Sequence, residues 1–166
     1  QPAADGEQAV VSKGEVREFR RPDRQVVFGI YYAPKSAQYR GPAKAAPPAL
    51  VFAHGGPTSM TDAGLKMRIQ FYTSRGFAVL DVNYSGSTGY GRAYRQRLDG
   101  AWGIADVADC AAGARYLAKA GLADGTRIAI SRSSGFRLVS TFIHLLSTLC
   151  RDRTSFSEAM GESSSQ

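Results

Sequence analysis

The sequence is poor in the residues that build metal centres and disulfide frameworks. Its 166 residues include two cysteines, Cys110 and Cys150, and two histidines, with no C-x-x-C pair and no histidine-rich spacing. Structural zinc sites and disulfide-stabilised folds both need closely spaced ligands or a larger paired set of cysteines. These two classes are excluded, no cofactor is expected, and both cysteines are predicted to be buried thiols.

Long apolar runs are also missing. No segment reaches the roughly 18 consecutive apolar residues of a membrane-spanning helix, and the first ten residues lack the basic-then-apolar pattern of a secretion signal. We therefore expect no membrane partner and a cytoplasmic location. The 43% of hydrophobic residues and the 10% of aromatic residues are enough for the core of one ordinary domain.

Charge of one sign is not concentrated anywhere in the chain. The formal net charge of +7 comes from 21 lysines and arginines against 14 acidic residues. The arginines are spread over separate stretches, and no alternation of basic and aromatic residues accompanies them. Nucleic-acid surfaces combine clustered basic charge with such features. We do not expect a nucleic-acid partner.

The hydrophobic pattern alternates between the periods of strands and helices. Residues 15–19 and 25–34 have the alternating, β-branched composition of a hairpin whose turn is 21–24. Three later apolar runs predict buried strands, and two segments with helical spacing end at Gly76 and Gly121, which suit C-terminal caps. The prediction is an α/β fold with a mostly parallel sheet and helices on both faces. The apolar runs are 49–53, 77–84 and 127–130.

Glycine- or serine-rich turns follow all three of these buried strands. They are HGGP from His54, NYSGSTGYG from Asn83 and SRSSGF from Ser131. Reacting groups in parallel sheets gather at the carboxyl ends of strands. We therefore expect these three turns to share one edge of the sheet.

The first turn has the composition of an oxyanion-binding loop. Gly55 and Gly56 let the backbone approach a substrate and offer N–H groups to a developing negative charge. A tight turn that needs glycine only for its backbone angles would carry the same residues. His54 precedes every candidate nucleophile and is interpreted as a positioning group rather than a general base.

The third turn is where a hydrolase of this class would carry its nucleophilic serine. The pattern G-x-S-x-G allows two alignments. Ser133 is the nucleophile if Ser131 replaces the first glycine and Gly135 is the second. Ser134 is the nucleophile if the strand is counted without a gap. A serine-rich loop without a catalytic role is the third interpretation.

Together, the segments HGGPTS, YTSRGFAVLDVNYSGSTGYGRAYRQRL, WGIADVADC and LADGTRIAIS resemble the catalytic domain of the prolyl oligopeptidase family of serine peptidases. The resemblance implies an α/β-hydrolase fold, a Ser-Asp-His triad and a short-peptide substrate. It places Gly55 and Gly56 at the oxyanion hole, with the amide of Ser134 or Gly135 as the second donor. It also places Tyr84 at the neighbouring rim. In the WG..D..D pattern it implies structural roles, with Trp102 anchoring the packing and Asp106 and Asp109 favouring a helix start.

The resemblance ends near Ser131. Arg132 and Phe136 occupy positions that the family fills with glycine, and the triad aspartate and histidine of the family lie well downstream of the serine. His144 lies in a segment that is predicted to continue as a helix, which points it away from the strand ends. We expect residues 1–131 to be the N-terminal part of an incomplete hydrolase domain and residues 132–166 to be an atypical tail that lacks the triad partners. The alternatives are a non-catalytic fragment or pseudoenzyme, or an esterase on the same fold.

Overall fold

The computed structural model describes residues 11–38, 40–42, 45–56 and 58–132. They form one mixed sheet of five strands in the order β1-β2-β4-β3-β5. The strands β1 and β2 form the predicted hairpin, and β3, β4 and β5 are the three buried strands. Their bounds are Gly14–Arg20 for β1, Val26–Tyr32 for β2, Ala49–Ala53 for β3, Ala78–Asn83 for β4 and Ile128–Arg132 for β5.

The three buried strands are parallel and adjacent, as predicted. Strand β3 pairs in parallel with β4 on one side and with β5 on the other. In this register Ala53 lies opposite both Val82 and Arg132, so the three strands end at one edge. The hairpin adds two antiparallel strands through the pairing of β2 with β4. The prediction that these three strands are neighbours whose carboxyl ends share one edge is confirmed, whereas residues 133–136 of the SRSSGF stretch lie outside the described residues.

The described residues include three helices beside the sheet: α1 (Met67–Thr73), α2 (Arg92–Gln96) and α3 (Ala105–Lys119). The two longer helices are followed by the predicted glycines, Gly76 and Gly121, whose φ angles are 88° and 68°. At each end the residue after the glycine donates its N–H to a carbonyl five residues earlier, from Phe77 to Tyr72 and from Leu122 to Leu117. This bond closes a Schellman cap, which requires the left-handed conformation that glycine adopts easily.

Helices α1 and α3 cover opposite faces of the sheet. Leu80, Val82 and Leu117 belong to the larger core between the sheet and α3. The smaller core on the other face contains Phe52 and Ile69, the latter from α1. Among the described residues, no helix is both long and apolar enough to span a bilayer.

The structure differs from the sequence predictions at four places. Helix α2 was not predicted, because five residues are too few for a helical period to be recognised. The segment with helical spacing that ends at Gly76 was expected to include Leu65, but Leu65 precedes α1 and is 67% exposed. Ser131 lies within β5, opposite Phe52, rather than in the following turn. Trp102, which was expected to anchor packing, is 45% exposed and so only partly covered. Cys110 is buried as expected, and Cys150 lies outside the described residues.

Tyr32 makes the fold sensitive to alkali. Burial, followed by the negative charges of Asp81 and Asp62, raises the pKa of Tyr32 to about 12. Unfolded tyrosine has a pKa of about 10, so above pH 10 the unfolded chain loses this proton while the folded chain keeps it. Stability contributed by the neutral hydroxyl is complete below pH 10 and is lost as the pH rises towards 12. We expect the free energy of unfolding to fall over this window, and to fall less in Tyr32→Phe, as measured by denaturant titration at each pH.

Candidate active site

His54 leaves β3 at the shared edge and stacks on Tyr84, which leaves β4 at the same edge. Their ring centroids are 4.3 Å apart and the ring planes differ by 20°. The Tyr84 hydroxyl lies 2.6 Å from the carbonyl oxygen of Gly56 and 3.1 Å from that of His54. The Tyr84 ring therefore packs against the first residue of the HGGP turn. Its hydroxyl contacts the carbonyl groups of the residues on both sides of Gly55.

Ser87 holds the other side of the His54 ring. Its hydroxyl oxygen is 2.7 Å from His54 Nε2 and 2.7 Å from the carbonyl oxygen of Tyr84. A serine hydroxyl has one proton, and here the carbonyl can only accept it. Ser87 therefore donates its proton to Tyr84, and His54 Nε2 faces the Ser87 oxygen, while Nδ1 lies 3.4 Å from the carbonyl oxygen of Gly55. Both ring nitrogens thus face polar atoms of the two loops, an arrangement that suits a positioning group.

The amides of Gly55 and Gly56 are the donors that the turn offers. No described residue accepts the N–H of either glycine, so within the described part of the chain both are left for a ligand. Gly56 has a φ of 76°, and a Cβ atom built there would meet nothing within 4 Å. The backbone angle, rather than space, is what requires glycine at this position.

A second set of hydrogen bonds ties the remainder of the HGGP loop to the end of β4. The fully buried Asn83 accepts the N–H of Thr61 at 2.7 Å and donates to the Thr61 carbonyl at 3.0 Å. The same amide group also donates to the Tyr90 hydroxyl at 2.9 Å. Farther along, Thr88 donates its N–H to the carbonyl of Ser59 at 3.0 Å. The loops after β3 and β4 are thus joined at several points.

A partly buried ion pair lies next to this loop on the α1 face, with the lysine side chain 32% exposed. Asp81, in the middle of β4, accepts hydrogen bonds from Thr61 Oγ1 and, at 3.0 Å, from Lys66 Nζ. The pairing compensates the cost of burying the carboxylate. Lys66 and Asp81 line a cavity of about 300 Å³ whose wall also includes Gly55. The cavity adjoins the face of the turn that points towards α1.

The predicted site residues are partly brought together. His54, Gly55, Gly56 and Tyr84 form one cluster at the sheet edge. The two candidate nucleophiles and the candidate amide donor lie outside the described residues: Ser133, Ser134 and Gly135. In the sequence these residues come directly after β5, which pairs with β3, the strand that ends just before His54.

Sequence reasoning missed the partners that hold the cluster. These partners are Ser87, Asn83 and Thr61. Each has several polar neighbours in the sequence, and nothing local indicates which of them contacts the loop after β3. Two further aspartates were assigned to the start of a helix. Asp106 does lie in the first turn of α3 and accepts the N–H of Gly103 at 2.8 Å, whereas Asp109 lies deeper in α3 and accepts the N–H of Ser85 at 2.6 Å.

Comparison with known proteins relates this chain to peptidases. Residues 63–135 match the model of the prolyl oligopeptidase family. The chain is 36% identical to acylamino-acid-releasing enzyme 2 of Oryza sativa subsp. japonica over 83 residues, which are 50% of this chain and 11% of that protein. It is 30% identical to dipeptidyl aminopeptidase BIII of Pseudoxanthomonas mexicana over 114 residues, or 68% of this chain and 16% of that protein.

Solved structures give the same relation. The structure is similar to a puromycin hydrolase at 47% identity and a TM-score of 0.74, covering 80% of this chain and 20% of that one. A puromycin-hydrolyzing peptidase of Mycobacterium tuberculosis is 41% identical with a TM-score of 0.73, covering 76% and 19%. The acylaminoacyl peptidase of Pyrococcus horikoshii is 26% identical with a TM-score of 0.63, covering 76% and 20%.

The chain spans less than a fifth of the length of these curated relatives and about a fifth of the solved chains. The matched part includes β4, the Tyr84 loop, α3 and β5, and the fold agrees with a partial α/β-hydrolase sheet. Residues 63–135 of this chain match the prolyl oligopeptidase family.

Proposed function

We propose that this chain provides the oxyanion-binding part of a serine peptidase that cleaves short peptides through an acyl-enzyme. The observation that carries the proposal is the HGGP turn. Gly55 and Gly56 offer two adjacent N–H groups, and Tyr84 and Ser87 hold the turn through His54 and Gly56. Donors that are fixed before the reaction stabilise a tetrahedral intermediate without the cost of reorganising during it.

The nucleophile of this proposal is Ser133 or Ser134. The pairing of Ala53 with Arg132 supports the proposal, because it places the start of this segment beside the start of the HGGP turn. Neighbouring strands lie about 4.8 Å apart, so Arg132, the residue before Ser133, lies close to the start of the HGGP turn. The amide that follows the serine, of Ser134 or Gly135, would be the second oxyanion donor.

A peptide is the proposed substrate class because the relatives are named as peptidases, aminopeptidases and acylamino-acid-releasing enzymes. Puromycin hydrolysis, named for two of the similar structures, is the most specific reaction to test. An esterase on the same fold would use the same oxyanion turn and would differ by turning over esters but not amides.

We further propose that the 166-residue chain by itself does not turn over substrate. A serine hydroxyl is a weak nucleophile at neutral pH without a base beside it. His54 Nε2 faces the Ser87 hydroxyl at 2.7 Å, and the other histidine, His144, lies outside the described residues. Hydrolysis of puromycin and of peptide amides is expected to equal that of a Ser133→Ala, Ser134→Ala double variant, with no labelling by a fluorophosphonate probe. Turnover or labelling that the double variant abolishes would overturn this part of the proposal.

A chimaera tests the oxyanion role separately from the inactivity of the isolated chain. Residues 11–131 would replace the corresponding segment of the puromycin hydrolase, which supplies its own downstream residues. We expect the chimaera to hydrolyse puromycin. Gly56→Ala in this chimaera should lower kcat far more than it changes KM, since a misplacement of about 1 Å can cost about 100-fold.

The matched control is Gly100→Ala, at another glycine with a positive φ, 67°, and open space around it, in the loop before α3. It should leave kcat unchanged. A chimaera that folds and is inactive, or in which both alanine variants behave alike, would contradict the oxyanion assignment. The non-catalytic alternative would then be favoured.

A further inference from the structure

Asp109 is a buried charge that the proposed chemistry does not use. It lies in the middle of α3 and its side chain is fully inaccessible to solvent. One carboxylate oxygen accepts the N–H of Ser85 at 2.6 Å, and the other lies 3.4 Å from Nη1 of Arg21. A buried carboxylate is costly unless it is paired and hydrogen-bonded. The buried carboxylate of Asp109 is therefore stabilised by both partners, the Ser85 amide and the Arg21 guanidinium.

Ser85 connects Asp109 to the oxyanion-binding turn. It directly follows Tyr84, whose ring supports His54 and whose hydroxyl binds the carbonyl of Gly56. Two residues farther on, Ser87 holds the His54 ring. The bond from the Ser85 amide therefore fixes the backbone between the two side chains that position His54.

Arg21 connects the same carboxylate to the turn of the N-terminal hairpin. It lies between β1 and β2, and its guanidinium also pairs with Asp23 at 2.7 Å. Its side chain is mostly buried, with 18% exposed, so the pair with Asp109 is only weakly screened by solvent. Three elements that are distant in sequence meet at one carboxylate: the hairpin turn, the loop after β4 and α3.

We propose that Asp109, with Arg21 as its counter-charge, is a positioning residue for the oxyanion-binding turn. The carboxylate holds the Ser85 amide, and the Tyr84–Ser87 segment in turn keeps the His54 ring stacked on Tyr84 and in contact with Ser87. The hairpin is thereby part of the site although it contributes no residue to the His54 cluster. The catalytic meaning of this inference rests on the proposed function. The coupling itself is a property of the folded chain and can be measured without turnover.

Asp109→Asn is the informative substitution because it preserves shape. An amide has one acceptor oxygen, so it either keeps the Ser85 bond and turns its NH₂ group towards Arg21 or loses the bond. The matched control is Asp106→Asn. Asp106 lies one turn earlier on α3, is also buried and also accepts a backbone N–H, that of Gly103 at 2.8 Å. A role limited to general stability predicts similar behaviour of the two variants.

The readout is the pair of ring-nitrogen chemical shifts of His54 in the ¹⁵N-labelled 166-residue chain, at a pH where the ring is neutral. We expect the parent chain and Asp106→Asn to show the same pair of shifts. In Asp109→Asn both shifts should move, because the ring is no longer held in its contacts with Ser87 and with the Gly55 carbonyl. Arg21→Gln should also move them, but by a smaller amount, because it leaves the bond between Asp109 and the Ser85 amide in place. Unchanged His54 shifts in a folded Asp109→Asn chain would overturn the proposal.

The amide proton of Ser85 gives a test that needs no variant. A short bond to a carboxylate should place it clearly downfield of the other amides in the loop. An ordinary shift for this proton in the parent chain would also overturn the proposal, even if Asp109→Asn does not fold. Because neither readout requires hydrolysis, an inactive chimaera would contradict the proposed function and leave this coupling unaffected.

Discussion

Leu80→Ala is expected to lower the free energy of unfolding by about 3–5 kcal/mol, the upper part of the range for buried leucines. Leu80 is completely buried in the middle of β4, which pairs with both β2 and β3. Its two methyl groups lie against Gly29 of β2 and Gly113 of α3, where a built Cβ would come within 3.1 and 2.8 Å of them. The neighbours at these two points have no side chain that could move into the space. The cavity should therefore remain largely open.

The matched control is Leu65→Ala, which removes the same atoms from a side chain that is 67% exposed. It should change stability by no more than about 0.5 kcal/mol. Both variants can be compared with the parent chain by urea denaturation followed by circular dichroism. A loss of less than about 1 kcal/mol for Leu80→Ala would contradict this prediction. It would mean that the sheet and α3 move together and fill the cavity.

Asn83→Ala is expected to have the second largest effect, about 2–4 kcal/mol. The substitution leaves the N–H and the carbonyl of Thr61 without their partner, and each unsatisfied buried group costs about 1–3 kcal/mol. Thr61 itself is buried, so water replaces these bonds poorly. The loop after β3 should detach from the loop after β4. Faster hydrogen exchange at Thr61 and at Thr88, which bonds to Ser59, should report this detachment.

Tyr90→Phe is the control for Asn83→Ala. It removes one hydroxyl that bonds to the same Asn83 amide at 2.9 Å, and it keeps both bonds to Thr61. Its ring should continue to stack on Phe28, where the centroids are 4.3 Å apart. We expect a loss of about 1 kcal/mol or less. Equal losses in the two variants would mean that Asn83 stabilises the fold through Tyr90 rather than through Thr61.

Much of the architecture could be predicted because it depends on local patterns. The apolar runs 49–53 and 77–84 are long enough, and bounded clearly enough, to be recognised as buried strands. Gly76 and Gly121 end their helices because a Schellman cap needs a left-handed residue at that point. The turn at His54 could be identified for the same reason, since adjacent glycines after a buried strand are a local feature.

The sequence could not predict which residues that are distant in the chain contact each other. His54 and Ser87 are 33 positions apart, Thr61 and Asn83 are 22 apart, and Arg21 and Asp109 are 88 apart. No periodicity relates such pairs. Trp102 shows the same limit, because whether a large aromatic side chain is covered depends on what the fold brings against it.

The sequence by itself determined the α/β class, the strands and their glycine turns, and the relation to the prolyl oligopeptidase family, because hydrophobic period, glycine and short motifs act within a few residues. Only the tertiary structure decided that His54 contacts Ser87, that Asn83 joins two loops and that Asp109 reaches Ser85. Those contacts follow from the strand order β1-β2-β4-β3-β5 and from the register that sets Ala53 opposite Val82 and Arg132. Register is a property of pairs of strands, and it exists only once they have come together.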